Sequence, residues 1–161
     1  MWLIDFPPQG MQASGTNAAL VNVREGWPVV VFPASEGLRA DWAAVLPSAY
    51  RGEGLRVLLL AVFAGDSDPR HQAAFELVLD RLALPGGSLG QPASSPPQVA
   101  FLAVPAQEGV LSTAEASFPA GEASARLAAG ELFRLRLRLV PELSQFAGQC
   151  QVLRVLVRPA S

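Results

Sequence analysis

The stretch LFRLRLRLV, residues 132–140, places three arginines at alternate positions of an otherwise apolar run. Successive side chains of a β-strand point to opposite faces of a sheet. The alternation therefore predicts a half-buried strand, with Phe133 and the leucines facing a core and Arg134, Arg136 and Arg138 facing the other way. The arginines would form a row about 13 Å long, which is either a basic stripe for nucleic acid or the solvent side of the strand.

The rest of the chain repeats this kind of short apolar segment. Fourteen glycines and fourteen prolines interrupt the 161 residues at short intervals, a pattern typical of a β-sandwich or barrel. The predicted strands are residues 2–6, 18–23, 28–32, 38–46, 55–64, 99–104, 111–118, 132–140 and 152–158. We therefore expect an all-β fold, a single jelly-roll β-sandwich of about eight to ten strands. Residues 1–17 are predicted to be an N-terminal arm and residues 18–161 the sandwich domain.

Three segments need a choice between structures. Residues 71–84 alternate as a strand does, although AAFELVLDRLAL also fits about three turns of helix; we favour the strand because the neighbouring segments are all β. At the C-terminus, the parity of residues 152–158 predicts that Leu153, Val155 and Val157 face the core. The proline- and glycine-rich residues 85–97 are predicted to be a long loop.

The composition favours a subunit of an assembly. Half of the residues are hydrophobic and 16% are charged, so we expect part of the apolar surplus to lie against partner subunits, since proteins that work alone usually carry more charge. The net charge is −2, and all twelve basic residues are arginine. The overall charge therefore gives no support to nucleic-acid binding.

Nothing in the sequence predicts a membrane or secretory segment. No run reaches the roughly 18 apolar residues of a membrane-spanning helix. The N-terminal MWLIDFPPQG has no basic region and carries Asp5 among its apolar residues, so we expect no signal peptide. The protein is expected to be kept, or assembled, in a cytoplasm.

The sequence contains little that predicts catalysis. One cysteine and one histidine cannot close a zinc site, and Cys150 is interpreted as a buried thiol. His71, beside a proline-containing turn, is not part of a G-x-S-x-G nucleophile motif. Asp66 and Asp68 in GDSDPR are interpreted as Asx-turn residues rather than calcium ligands. We therefore predict no enzymatic activity and no cofactor, although two carboxylates that meet only in space remain an open route to glycoside chemistry.

Exposed aromatic rings would indicate carbohydrate binding. Trp42 lies on the apolar parity of its strand and is predicted to be in the core. Trp27 and Tyr50 lie at turns, where both rings can be exposed, and together they are the candidate sugar platform. For the arginine row, nucleic-acid binding would require interleaved aromatics on the same face, whereas Phe133 points the opposite way. We interpret the row as the polar side of a strand that pairs with acids on neighbouring strands or subunits.

Two segments carry a resemblance to a known group of proteins. They are VLPSAYRGEGLRV, residues 45–57, and the run from AAGELFRLRLRLV to LRVLVR, residues 128–158. They resemble the patterns "LP-x-x-Y-x-G-G-x-L-x-V" and "A-G-x-L-x-x-L-R-L-x-R" of small tailed-bacteriophage virion proteins that look like single jelly rolls. The resemblance covers residues 29–65 and 128–158, whereas residues 86–122 match nothing in it.

The resemblance implies a structural virion protein assembled in the host cytoplasm. Such a protein would be a capsid decoration, or cement, protein that binds the outer head surface as a homotrimer and stabilises neighbouring major capsid subunits. The alternatives are a tail or baseplate component and a carbohydrate-binding receptor-recognition module. We expect contacts from the arm and from residues 85–97, and no direct binding to nucleic acid or membrane. The candidate partner-binding residues are Trp2, Phe6, Met11, Trp27, Tyr50, Arg134, Arg136 and Arg138.

Overall fold

Two antiparallel sheets pack face to face in the computed structural model, which describes residues 4–12, 16–82 and 86–160. The strands in these ranges are β1 (Ile4–Phe6), β2 (Leu20–Arg24), β3 (Trp27–Pro33), β4 (Arg39–Val45), β5 (Gly54–Ala64), β6 (Gln72–Leu82), β7 (Ala93–Ser94), β8 (Gln98–Ala103), β9 (Ser112–Pro119), β10 (Leu132–Leu139) and β11 (Gln149–Pro159). Short 3-10 turns lie at Pro8–Gly10, Glu122–Ser124 and Pro141–Leu143. The all-β sandwich prediction is confirmed.

The strand order divides the chain between the two sheets. The first sheet has the order β2-β3-β11-β5-β9, and β1 pairs with the far end of β11. The second sheet has the order β4-β10-β6-β7, and β8 pairs with the other end of β6. Among the described strands, the chain passes between the sheets at six connections, from β3 to β4, β4 to β5, β5 to β6, β8 to β9, β9 to β10 and β10 to β11. The two-layer arrangement is established, and the jelly-roll connectivity remains our interpretation of this order.

The core lies between the sheets and is built from the inward parity of each strand. Phe32 of β3 meets Phe75 of β6 edge to face across the layers, with ring centroids 5.0 Å apart. Trp42 of β4 is fully buried, as predicted, and its indole Nε1–H donates a hydrogen bond to the Pro7 carbonyl at 3.0 Å. The core thus joins the two sheets and the N-terminal segment.

The two alternating segments form strands as predicted. In β10, Phe133 and the leucines that alternate with it are buried, while the arginines lie on the outer face. In β6, the choice of strand over helix is correct because β10 pairs along one edge of it and β8 along the other. These neighbours provide hydrogen-bond partners that an isolated segment lacks.

The predicted parity of β11 is wrong at Leu153. The register between β11 and β5 shifts between Val152 and Arg154, as a β-bulge does when one strand carries an extra residue. Val152 before the shift and Val155 after it both face the core, whereas Leu153 is only half-buried. A prediction based on a strict period of two cannot detect this insertion.

The described part of the N-terminal arm is built into the sandwich. β1 pairs with β11, and Phe6 is a core residue whose ring stacks on Trp42 with centroids 6.1 Å apart. Farther along, Gln12 N–H donates to the Asp41 carbonyl, and residues 17 and 19 exchange backbone hydrogen bonds with Arg39. The free edge of β4 is therefore covered by chain, and a segment expected to lack a core contributes to one.

Candidate functional site

The arginines of β10 are each paired with a carboxylate within the second sheet. Arg134 and Arg136 both pair with Asp80 of β6, at 2.7 Å and 2.8 Å between nitrogen and carboxylate oxygen. Arg138 lies 3.6 Å from the Glu76 carboxylate. The register explains these pairs, because Arg134 is directly opposite Asp80 and Arg138 directly opposite Glu76. The prediction that the arginines pair with acids on a neighbouring strand is confirmed.

Asp80 is held as an anion by its surroundings. Burial alone would raise the pKa of its carboxyl, but the hydrogen bonds from the Ser94 hydroxyl and from the two arginines hold this pKa below its ordinary value. Ser94 Oγ donates to Asp80 Oδ1 at 2.6 Å. The contact therefore links β6, β7 and β10, and it occupies the cationic groups that a phosphate backbone would need.

An apolar surface lies on the outer face of the first sheet, where β2 and β3 meet the loop before β9. We call it the Trp27 surface; it consists of the exposed Leu20, Trp27 and Leu111, the half-buried Leu153, and the buried Val29 and Val62 beneath them. Leu20 is 71% exposed and Trp27 is 63% exposed. A cavity of about 240 Å³ opens between Trp27, Leu111 and the strand residues beneath them. Apolar side chains thus face solvent on the side of the first sheet that points away from the core.

The hairpin that joins β2 to β3 positions Trp27. Glu25 and Gly26 both have positive φ, 49° and 84°, as the tight type I′ turn of a two-residue hairpin requires. This turn places Arg24 directly opposite Trp27. The Arg24 guanidinium reaches across the sheet, and Nη1 donates to the Phe63 carbonyl and to Gln151 Oε1, each at 3.0 Å. Arg24 is thereby fixed beside the cavity that the Trp27 ring borders.

The sequence-predicted aromatic residues do not meet at one place. Trp27 is exposed as expected, but Tyr50 is only 2% exposed. The Tyr50 hydroxyl accepts a hydrogen bond from the Gly54 backbone N–H at 3.0 Å, and burial raises the pKa of the phenol. The candidate sugar platform of these two rings is therefore wrong, because the Tyr50 side chain turns inward to close its own loop.

The candidate partner residues of the arm also separate. Phe6 is in the core and so cannot contact a partner directly, whereas Met11 is half-buried and packs against the core. Trp2 lies outside the described residues. In the predicted loop 85–97, Ala93–Ser94 forms the short strand β7 and Ser95 is buried. The Ser95 hydroxyl accepts a hydrogen bond from the Leu79 backbone N–H, so this part of the loop belongs to the second sheet.

The lone histidine belongs to a turn. Its Nδ1 lies 2.7 Å from Asp66 Oδ2, which also accepts the Ala147 backbone N–H. Asp66 Oδ1 accepts the Asp68 N–H, and Asp68 Oδ1 accepts the Arg70 N–H, which confirms the Asx-turn interpretation. Burial opposes the charge of Asp66, but the bonds from Asp68, His71 and Ala147 lower the pKa of the Asp66 carboxyl. This group ties the turn after β5 to the segment before β11.

Several exposed apolar residues of the Trp27 surface and of the segments beside it were missed by sequence reasoning. β2 was predicted as a strand, but no function was given to Leu20, Val21 or Val23, all of which are exposed. A signal was present, because residues 18–23, AALVNV, have one polar side chain in six and do not alternate as a strand with a wet face does. The exposed Val110 and Leu111 lie just before and at the start of predicted strand 111–118 and carried no comparable signal.

Comparison with known proteins leaves the surface as the main guide to function. No protein-family model matches the chain, and no curated protein matches it. Among the described residues, no helix is long and apolar enough to cross a membrane. Over the same ranges, no three His, Cys, Asp or Glu side chains are grouped so that they could hold a metal ion.

Proposed function

We propose that this chain is a structural subunit that acts through protein–protein contacts, and that it is a capsid decoration protein of a tailed bacteriophage. In this proposal it binds the outer head surface as a homotrimer and stabilises neighbouring major capsid subunits, without enzymatic activity. The observation that supports it is the Trp27 surface, with the exposed strand β2 beside it. Large exposed apolar patches mark interaction sites, because leaving them in water is unfavourable.

The phage context comes from the resemblance. The fold places the two motifs of that resemblance on neighbouring strands. Residues 45–57 run from the end of β4 into β5, and residues 128–158 contain β10 and most of β11. β10 pairs with β4 in the second sheet, and β11 pairs with β5 in the first. The two motifs are thus neighbours in both sheets. This supports the interpretation that they form the structural framework the chain would share with the phage proteins. The Trp27 surface lies mostly outside them and would carry the contacts of this particular chain.

Location in the particle tests the proposal directly. Particles assembled in cells that express the tagged chain would be banded in a density gradient and labelled with gold against the tag. The proposal expects the chain in the particle band and the label over heads. Label over tails would replace the head proposal with a tail or baseplate component, and absence of the chain from particles would overturn the virion proposal.

The oligomeric state tests the trimer. Light scattering at low and high salt should give a multiple of three chain masses, unchanged between the two conditions, because an apolar contact is not screened by salt. A molar mass that is not a multiple of three chain masses would contradict the trimer.

Carbohydrate binding is the second candidate, and the exposed ring of Trp27 favours it. The ring borders a cavity that Arg24 and Glu25 also line. A sugar in this cavity could place its apolar face on the ring and its hydroxyl groups against the two charged side chains. A glycan array tests this candidate. Binding that is lost in Trp27→Ala and kept in Tyr50→Phe would favour it over the structural proposal.

A further inference from the structure

We propose that β2 of one copy pairs antiparallel with β2 of a second copy across a two-fold axis at Asn22, so that the two first sheets form one continuous sheet. This contact goes beyond the proposed head binding and does not depend on it. It assigns a self-association surface to residues 20–24 and to the adjoining Trp27 surface.

The edge of β2 is open and unprotected. In the part of the chain that the structure describes, β2 is paired with β3 alone. Natural proteins block such edges with lysine, proline or covering chain, and the free edge of β4 is covered in this way by residue 12 and residues 17–19. The sequence of β2, LVNVR, contains neither lysine nor proline. An uncovered strand of this kind is a template for another strand.

The hydrogen bonds show which backbone groups are available. The Val23 N–H donates to the Asn22 side-chain oxygen at 2.8 Å instead of to β3, so it points to the free edge. Alternate residues of an antiparallel strand direct their backbone groups to the same side. Val21 therefore shares this direction with Val23, and a second strand could exchange hydrogen bonds with both residues if the Val23 N–H gave up its bond to the exposed Asn22 side chain.

Self-pairing about Asn22 matches these groups. It places Val21 opposite Val23 of the second copy, so each residue with outward backbone groups meets another such residue. The four valines then form one apolar cluster on the same face. A shift centred on Val21 would instead bring in Ala19, which is fully buried and whose N–H donates to the backbone carbonyl of Arg39 in β4. Only the register centred on Asn22 pairs all five residues of β2.

Charge does not oppose this register. Arg24 would lie opposite Leu20 of the second copy, and the two Arg24 side chains would be at opposite ends of the paired strands. Each guanidinium is already bound to the Phe63 carbonyl and to Gln151 within its own chain. The leucine can therefore pack on the arginine stem. The arrangement of valines in β2 is palindromic about Asn22, so a second copy of the same strand fits the open edge.

The two-fold contact is separate from the three-fold contact of the proposed trimer. Alone it produces a dimer, because a two-fold interface closes on itself. Together with a three-fold contact it links trimers in pairs or into larger arrays. Loss of the β2 contact therefore halves the molar mass of a dimer or of a pair of trimers, and lowers the molar mass of a larger array by more than half.

The first experiment measures this change by light scattering. Val23→Lys would place two cations in the valine cluster, and we expect it to reduce the molar mass of the wild-type protein to one half or less. Val45→Lys is the matched control, because Val45 is 54% exposed and Val23 is 64% exposed, both on strands; it should leave the mass unchanged. A wild-type monomer, or equal masses for the wild type and Val23→Lys, would overturn the proposal.

The second experiment tests the register by cross-linking. Directly opposed residues of a non-hydrogen-bonded antiparallel pair have Cα atoms about 4.5 Å apart, which a disulfide can span. Asn22→Cys should therefore give a covalent dimer under mild oxidation, and Val45→Cys should not. The native Cys150 does not compete, because it is fully buried. Failure of Asn22→Cys to cross-link in protein that is folded would contradict the register, and capsid binding by such a protein would leave the proposed function intact.

Discussion

Asp80 is the residue on which the outer face of the second sheet depends. Its carboxylate is buried, it contacts Arg134 and Arg136, and it accepts a hydrogen bond from Ser94. Breaking a buried ion pair by removing one partner leaves the other charge uncompensated. A single carboxylate therefore decides whether two of the three arginines are internal partners or free cations.

Replacement of Asp80 should be costly. We expect Asp80→Asn to lower the free energy of unfolding by about 2 kcal/mol, less than for a fully buried pair because the arginines are partly solvated. The control is Glu76→Gln, whose partner Arg138 is 3.6 Å away and partly exposed; it should cost about 0.5 kcal/mol or less. Denaturant unfolding measures both variants. Equal losses of unfolding free energy would show that the buried ion pairs of Asp80 contribute no more than the exposed pair of Glu76.

The same carboxyl should contribute to acid sensitivity. The pKa of Asp80 is lower in the folded chain than its ordinary value, so its stabilising effect is full above about pH 4 and is lost as the pH falls through the folded-state pKa. Unfolding measured from pH 7 to pH 2 should therefore show a smaller loss of stability in Asp80→Asn than in the wild type. Parallel pH profiles of the two proteins would contradict this assignment.

At the scale of elements, the turns depend on close approaches that require glycine. Gly148, just before β11, has φ of 72°, and a Cβ at this position would overlap the Ala64 carbonyl at the end of β5. Gly65, which follows β5, also has positive φ and lies against Gly148. These two glycines let the segment before β11 cross directly over the end of β5.

Alanine at Gly148 should therefore disturb the pairing of these strands. We expect Gly148→Ala to destabilise the fold by about 3 kcal/mol or more, since backbone strain and a clash with main chain both act. Gly130→Ala isolates the backbone strain, because Gly130 has φ of 80° with nothing within 4 Å of a Cβ; it should cost about 1 kcal/mol. Thermal unfolding that ranks the two variants equally would rule out the steric effect.

At the scale of the whole molecule, the two outer faces differ in character. The outer face of the second sheet carries Arg134, Arg136 and Arg138 paired with acids of β6. The outer face of the first sheet carries the Trp27 surface and the open edge of β2. Polar interactions are thus used within the fold, while apolar area is left for contact with other chains.

This division predicts no affinity of the arginine row for nucleic acid. Fluorescence anisotropy with single-stranded and duplex DNA at about 0.15 M salt should show no binding, because the cations are paired and few phosphates could be neutralised. Binding that weakens steeply with salt and disappears in Arg136→Ala would contradict the prediction.

The site residues show how far sequence reasoning reached. The row in β10 and the presence of acidic partners could be predicted from local alternation, but the register between β10 and β6 selected Asp80 as the shared partner. Trp27 and Tyr50 look alike in sequence, since both lie at turns. Their exposure differs because the Tyr50 hydroxyl has a buried backbone partner at Gly54, a contact that turn chemistry alone does not predict.

The sequence by itself determined the strands and the faces of most of them, because alternation and the positions of proline and glycine act over a few residues. Only the tertiary structure decided that β11 lies between β3 and β5, which leaves β2 at the edge of its sheet. It also decided the bulge that turns Leu153 away from the core. These features depend on pairing between segments about 85 to 122 residues apart, and no local pattern of side chains specifies which strand becomes the neighbour of another.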